Sequence, residues 1–280
     1  MNSKNIKKSL NAKLNDWLKT IEDKKVKDII KNNTIVSGGA LVSLLTGAEV
    51  NDYDIYLRTK EAVLAVAGYY VAKFNKTHSA SASIKEENEK IKIFIQDKGV
   101  AGDDEDVLPE EGGQAPVNED KPKYRPVYLT SNAITLSDKI QIVIRFWGDV
   151  NEIHKNYDFA HCTCSWSSWD NELLLPQKAL ECIINKELYY IGSKYPLCSI
   201  IRARKFIGRG YTINAGQYLK MCLQLNELNL HDIETLKDQL VGVDSAYFNT
   251  AIEFMEKRQK DEPNWQPDNS YLFEVVNRIF

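Results

Sequence analysis

Strand-forming sequence is confined to the first part of this chain. The strongest β signal, Ile140-Gln141-Ile142-Val143-Ile144-Arg145-Phe146, falls at the midpoint of the 280 residues, and from about residue 176 onward the apolar residues recur at helical spacing. Such a chain must close its sheet early and bury the remaining apolar faces among helices. Strands mixed with helices, then helices alone, point to two domains, residues 1–175 and 176–280.

The pattern predicts a helix over residues 4–31, with Leu10, Leu14, Trp17, Leu18 and Ile21 on one face and lysines, read as a solvated face, on the other. A short strand at 34–36 runs into Ser37-Gly38-Gly39, followed by one or two helical turns at 40–46 and an alternating strand from Val50 to Leu57. A helix at 60–75 comes next. Strands are expected near 79–85, 90–96, 126–130, 133–136 and 139–147, and helices at 176–186, 196–209, 215–227, 231–241, 244–258 and 269–279. Residues 97–123 are rich in Asp, Glu, Gly and Pro and read as a solvated insertion.

Composition narrows the function classes. With 43% hydrophobic and 27% charged residues the chain is an ordinary globular one, and a net charge of −3 gives no support for a dedicated nucleic-acid binder. Five irregularly spaced cysteines read as those of a reduced, intracellular protein. The first residues lack the apolar core of a signal peptide, and no apolar run approaches a membrane span, so no membrane partner is expected. His161, Cys162 and Cys164 lack a second pair at zinc-ligand spacing and read as core residues, as do Trp166, Trp169, Tyr189 and Tyr190.

The chemistry is concentrated in one unit: Ser37-Gly38-Gly39, twelve residues, then Asp52-Tyr53-Asp54. Residues i and i+2 of a strand point to one face, so Asp52 and Asp54 would present two carboxylates side by side. A divalent cation removes their repulsion, and hard oxygen ligands suit Mg2+ or Mn2+. Gly38 and Gly39 lie between a strand and a helix start, where backbone amides favour phosphate. A metal site beside a phosphate cradle is what transfer from a nucleoside triphosphate requires.

This unit resembles the signature of the polymerase β nucleotidyltransferase superfamily, with Gly38, Gly39, Asp52 and Asp54 at the motif positions. A second resemblance covers the later chain. Asn156-Tyr157-Asp158-Phe159-Ala160, Tyr195-Pro196-Leu197, Ile201-Arg202-Ala203-Arg204-Lys205-Phe206 and Gly210-Tyr211-Thr212-Ile213 are similar to head and neck motifs of bacterial-type CCA-adding enzymes and poly(A) polymerases. The chain is also similar to nucleotidyltransferase-like proteins of tailed bacteriophages. The resemblance implies an α+β fold: a small mixed β-sheet nucleotidyltransferase domain followed by an all-α C-terminal region. It implies magnesium at Asp52 and Asp54 with Asp158 assisting catalysis. It also implies a nucleoside triphosphate such as ATP near Ser37, Gly38 and Gly39. Arg58 follows the metal strand closely enough to reach a phosphate, and Arg202 and Lys205 share one face of a basic helical stretch that could bind triphosphate or a nucleic-acid backbone; a solvated surface is the alternative for all three.

The acceptor would be a hydroxyl on RNA, protein or a small molecule, in the host cytoplasm or a virion if the chain is phage-encoded. The departures are specific. Gln141 stands where the CCA-type pattern has a third acidic residue, Asn156 and Tyr157 replace paired arginines, and the Glu-Asp-x-x-Arg element is missing near 194–198. They argue against CCA addition and leave two readings, a different nucleotidyltransferase or a non-catalytic binding or structural protein on the same fold.

Overall fold

The computed structural model describes residues 1–77, 81–87, 90–95, 122–240 and 246–279. The acidic stretch 97–123 lies outside the described residues except for Pro122 and Lys123. The chain divides into two units: residues 1–155 with 161–183, and residues 156–160 with 184–280. The division falls eight residues later than the expected boundary at 175, and the short segment Asn156–Ala160 is grouped with the helical unit.

The first unit is built on a seven-stranded sheet. Its elements are α1 (Ser3–Lys19), α2 (Lys24–Asn33), β1 (Thr34–Ser37), α3 (Gly39–Thr46), β2 (Tyr53–Leu57), α4 (Lys60–Thr77), β3 (Ala82–Glu87), β4 (Lys90–Ile95), β5 (Pro126–Leu129), β6 (Ala133–Leu136), β7 (Ile140–Trp147), α5 (Val150–His154), β8 (Ser165–Ser167), β9 (Leu173–Leu174) and α6 (Gln177–Asn185), whose last two residues are grouped with the second unit. The strand order is β5-β6-β7-β2-β1-β8-β9, and β3 and β4 form a separate hairpin. Only β2 and β7 run parallel; the other described pairs are antiparallel, so the sheet is mixed.

The expected single helix over 4–31 is two helices. Asp23 caps the second, its carboxylate accepting from the amides of Lys25 and Val26 at 2.8 and 3.2 Å, which ends helical continuity at Thr20–Asp23. α1 buries Ile6, Leu10, Leu14, Trp17 and Leu18, a stripe that matches the helical period. The Trp17 indole donates to the Tyr70 hydroxyl at 2.6 Å, fastening α1 to α4 inside the core. Strands β8 and β9 are too short, at three and two residues, for alternation to reveal them.

The second unit contains α7 (Pro196–Gly208), α8 (Ala215–Leu225), α9 (Ile233–Leu240), α10 (Ala246–Asp261) and α11 (Asn269–Ile279). Here the later motifs pack on one another. Phe159 stacks edge-on against Tyr190 and Phe206, with ring centroids 5.8 and 5.6 Å apart, in a cluster with Leu188, Ala203, Tyr211 and Met221. Three glutamine side chains tie down the segment before α7. Gln217 accepts from the Tyr190 amide, Gln224 from the Tyr190 hydroxyl, and Gln239 donates to the Lys194 carbonyl. Among the described residues, no helix is long and apolar enough to cross a membrane.

Candidate functional site

The site is set by register. β1 lies antiparallel to β2 with Val36 opposite Ile55, and β2 lies parallel to β7 with Asp54 opposite Gln141. Ser37 therefore comes next to Asp54, and the Gly38 turn leaves the sheet at the end where Asp52 enters it. Thr135 is paired with Gln141 on the outer side, and Ser165 with Ser37 on the other. Register partners share a face, so Thr135, Gln141, Asp54, Ser37 and Ser165 form a polar row across five strands. Tyr53, Ile55, Val36 and Ile140 face the other way and line a small cavity against Leu10, Leu14 and Trp17 of α1.

Asp52 is exposed, one residue ahead of the first residue of β2, and Asp54 is half-buried within the strand. Their Cα atoms are separated by two strand residues, about 7 Å. Two carboxylates at that spacing, one open to solvent, are a hard-oxygen donor set that suits a magnesium ion keeping several of its own ligands. Gln141 contributes an amide to the same row and no charge. Among the described residues, no group of three or more His, Cys, Asp or Glu side chains converges as a metal cage would.

Gly38 is buried with φ +81° and ψ −140°, a conformation that a side chain would strain. Its carbonyl accepts from the Leu41 and Val42 amides at 3.2 and 3.4 Å, which starts α3. Gly39 is exposed, and a Cβ placed on it would meet nothing within 4 Å.

The Ser37 hydroxyl is unavailable to a ligand. Ser37 is 0% exposed, and its Oγ donates to the Cys164 carbonyl at 2.9 Å while His154 Nε2 lies 3.0 Å away. Sequence reading placed His154 only near the His161, Cys162 and Cys164 group; its contact with Ser37 was not legible, because the partner is 117 positions away and no motif links them. Burial lowers the His154 pKa from 6.5 to about 4, so the ring is neutral at neutral pH.

Arg58 lies away from the Gly38 turn. It follows the far end of β2, four residues or about 13 Å from Asp54. Its amide donates to the Asn33 carbonyl at 3.0 Å, and its guanidinium stacks 4.5 Å over the Trp169 ring. A side chain anchored there is not directed at the Gly38 turn.

Asp158 and Arg202 are joined to each other within the second unit. Arg202 Nη1 donates to Asp158 Oδ2 at 2.6 Å, and Asp158 is 4% exposed. The carboxylate expected to assist catalysis and the guanidinium expected at a triphosphate thus form one ion pair. Lys205 is exposed on α7.

A sequence model of the Gabija anti-defense 2 family matches residues 8–186, well over half of the chain. The chain is 20% identical over 239 residues to the Gabija anti-defense 2 protein of Bacillus phage SPbetaL7, a match covering 85% of this chain and 47% of that protein. It thus spans about half the length of this curated relative. Among solved structures, it is similar to the Thermotoga maritima CCA-adding enzyme complexed with tRNA, at 12% identity, 76% of this chain, 45% of that one and a TM-score of 0.41. A CCA-adding enzyme with CTP gives 14% identity, 81% and 48% coverage and a TM-score of 0.42. At these scores the likeness is distant and partial. The family match, which takes in the whole Ser37-to-Asp54 unit, is the firm result: the chain belongs to the Gabija anti-defense 2 family.

Proposed function

We propose that this protein binds a magnesium–nucleoside triphosphate at the Gly38 turn and transfers its nucleoside monophosphate to a hydroxyl acceptor, the α–β phosphoanhydride bond breaking to release pyrophosphate and the hydroxyl proton passing to solvent, and that it does so to counter Gabija defence in a phage-infected cell. One observation carries the first part of the reading. Register brings the Gly38–Gly39 turn and the Asp52/Asp54 pair to the same end of adjacent central strands. The second part rests on the family and on its phage relative.

In this reading Asp52 and Asp54 hold the cation, whose chemistry is to neutralise the triphosphate and polarise the transferred phosphorus centre. The amides at the start of α3 receive phosphate oxygens. Catalysis is then mainly positioning and charge stabilisation. The test is incubation with each α-labelled ribonucleoside triphosphate, magnesium, and pools of cellular RNA and protein. Label should pass to an acceptor with the wild type and not with Asp54→Asn. In parallel, co-expression with a Gabija system during phage challenge should show counter-defence that Asp54→Asn loses.

A second reading has its own support. Gln141 places a neutral amide beside Asp54, and Asp158 is committed to Arg202. A site with two carboxylates suits retention of a magnesium-bound nucleotide without transfer. Saturable triphosphate binding with no labelled product would favour this binding protein. An Asp54→Asn variant that retains both nucleotide binding and counter-defence would dismiss the site in either reading.

A further inference from the structure

We propose that His154 is a positioning residue for the phosphate-facing turn at Gly38, acting through Ser37. The inference rests on the nucleotide-binding reading above for its ligand, and on hydrogen-bond geometry for its substance.

A serine hydroxyl has one proton to give. That of Ser37 goes to the Cys164 carbonyl at 2.9 Å, so the 3.0 Å contact with His154 Nε2 requires the histidine to be the donor. Burial keeps the ring neutral, with a pKa of about 4, so it carries a single ring proton, which this contact places on Nε2. The direction of the bonds matters. In a serine nucleophile the hydroxyl donates to the histidine, which acts as base. Here the histidine donates to the serine, and Ser37 is 0% exposed. The pair is a clamp and not a nucleophile with its base.

The clamp joins three segments: α5 through His154, the last residue of β1 through Ser37, and the chain just before β8 through Cys164. The next residue in the chain is Gly38, whose φ of +81° turns the backbone from strand to helix. Ser165, the register partner of Ser37, is 1% exposed, and its Oγ has no hydrogen-bond partner among the described residues. The histidine therefore serves the one serine that leads into the turn. Buried hydroxyls are usually partnered, and losing the His154 bond would leave Ser37 held by the Cys164 carbonyl alone, a single contact that fixes the turn after it less firmly.

The test compares His154→Leu, which removes the donor, with His154→Gln, whose amide nitrogen can occupy the place of Nε2. Binding of each of the four ribonucleoside triphosphates with magnesium is measured by equilibrium dialysis at a temperature where all three proteins are folded. Hydrogen exchange is followed at the Leu41 and Val42 amides, which donate to Gly38. His154→Leu is expected to weaken binding at least tenfold and to speed exchange at these amides by a similar factor. His154→Gln is expected to stay within about threefold of wild type in both. Equal binding by wild type and His154→Leu, or equal losses in the two variants, overturns the proposal. If wild type binds no triphosphate, the nucleotide reading fails and exchange alone decides: protection at Leu41 and Val42 unchanged in His154→Leu overturns the clamp.

Discussion

Asp52 and Asp158 belong to motifs of similar composition, an acidic residue beside aromatic and apolar neighbours, and the two units use them in opposite ways. Asp52 stands exposed where β2 begins, beside the Gly38 turn. Asp158 is 4% exposed and ends on the Arg202 guanidinium. A carboxylate kept at the surface of a strand end contributes little to folding and remains open to a ligand. A carboxylate sunk beneath a guanidinium is neutralised internally and fixes the segment that carries it. The second unit uses its acid to hold Asn156–Ala160 in place; the first leaves its acid open to solvent.

The largest effect that tests this contrast comes from Asp158→Ala. Removing it takes away the carboxylate that Arg202 Nη1 donates to and opens a gap in a buried ion pair, which destabilises by about 3 kcal/mol. Denaturant unfolding should register the loss, and hydrogen exchange should locate it in α7. Replacing both partners with apolar residues, Asp158→Leu with Arg202→Met, should recover most of the stability. A stable Asp158→Ala protein that no longer binds triphosphate would break the contrast and return Asp158 to the site.

Next in size is a pH effect in the first unit. His154 titrates near 6.5 when unfolded and near 4 when folded. Between those values the unfolded chain binds more protons, so stability rises with pH. The contribution is fully present above about pH 6.5 and is lost as pH falls toward 4. After discounting for partial exposure it is on the order of 2 kcal/mol. The wild-type minus His154→Gln difference in unfolding free energy isolates it from acid-labile carboxylates. A difference that does not change between pH 7 and 4.5 refutes the assignment.

A smaller effect concerns the metal. Asp54→Asn should leave the melting temperature within a few degrees of wild type and weaken Mn2+ binding about tenfold, or about 1.4 kcal/mol by calorimetry. Gln141→Asp should strengthen it, because register sets that side chain beside Asp54. If both variants bind Mn2+ like wild type, the polar row is not a metal site.

What the sequence disclosed follows from how local each signal is. The alternation of residues 139–147 is a local pattern, and it appears as β7, with Gln141 beside Asp54 at the place where the resemblance puts a third acidic residue. The Gly38 turn was legible because a positive φ calls for glycine. The break between α1 and α2 escaped notice because it contains neither Gly nor Pro; the cap at Asp23 was its one signal. His154 and the Asp158–Arg202 pair were illegible for a different reason. Their partners lie 117 and 44 residues away, and only tertiary packing selects them. Motif likeness gave Asp158 its expected site role, and what it could not show is the buried ion pair with Arg202.

The smallest expected effect separates the two ends of one strand. Asp54 and Arg58 both belong to the segment around β2, yet they lie about 13 Å apart along it. Arg58 rests on Trp169 at 4.5 Å, an exposed cation–π contact of about 0.5–1 kcal/mol. Arg58→Ala should therefore lower stability by no more than this and leave triphosphate affinity within twofold of wild type. Trp169→Ala should produce a comparable effect on the Arg58 contribution, and the double variant should lose less than the sum of the two, since each removes the same contact. The outcome that would rejoin the two ends is an Arg58→Ala protein of normal stability whose triphosphate affinity falls tenfold or more. The guanidinium would then have to leave Trp169 to meet the phosphates, and the ligand would extend along the whole of β2 instead of sitting at the Gly38 end alone.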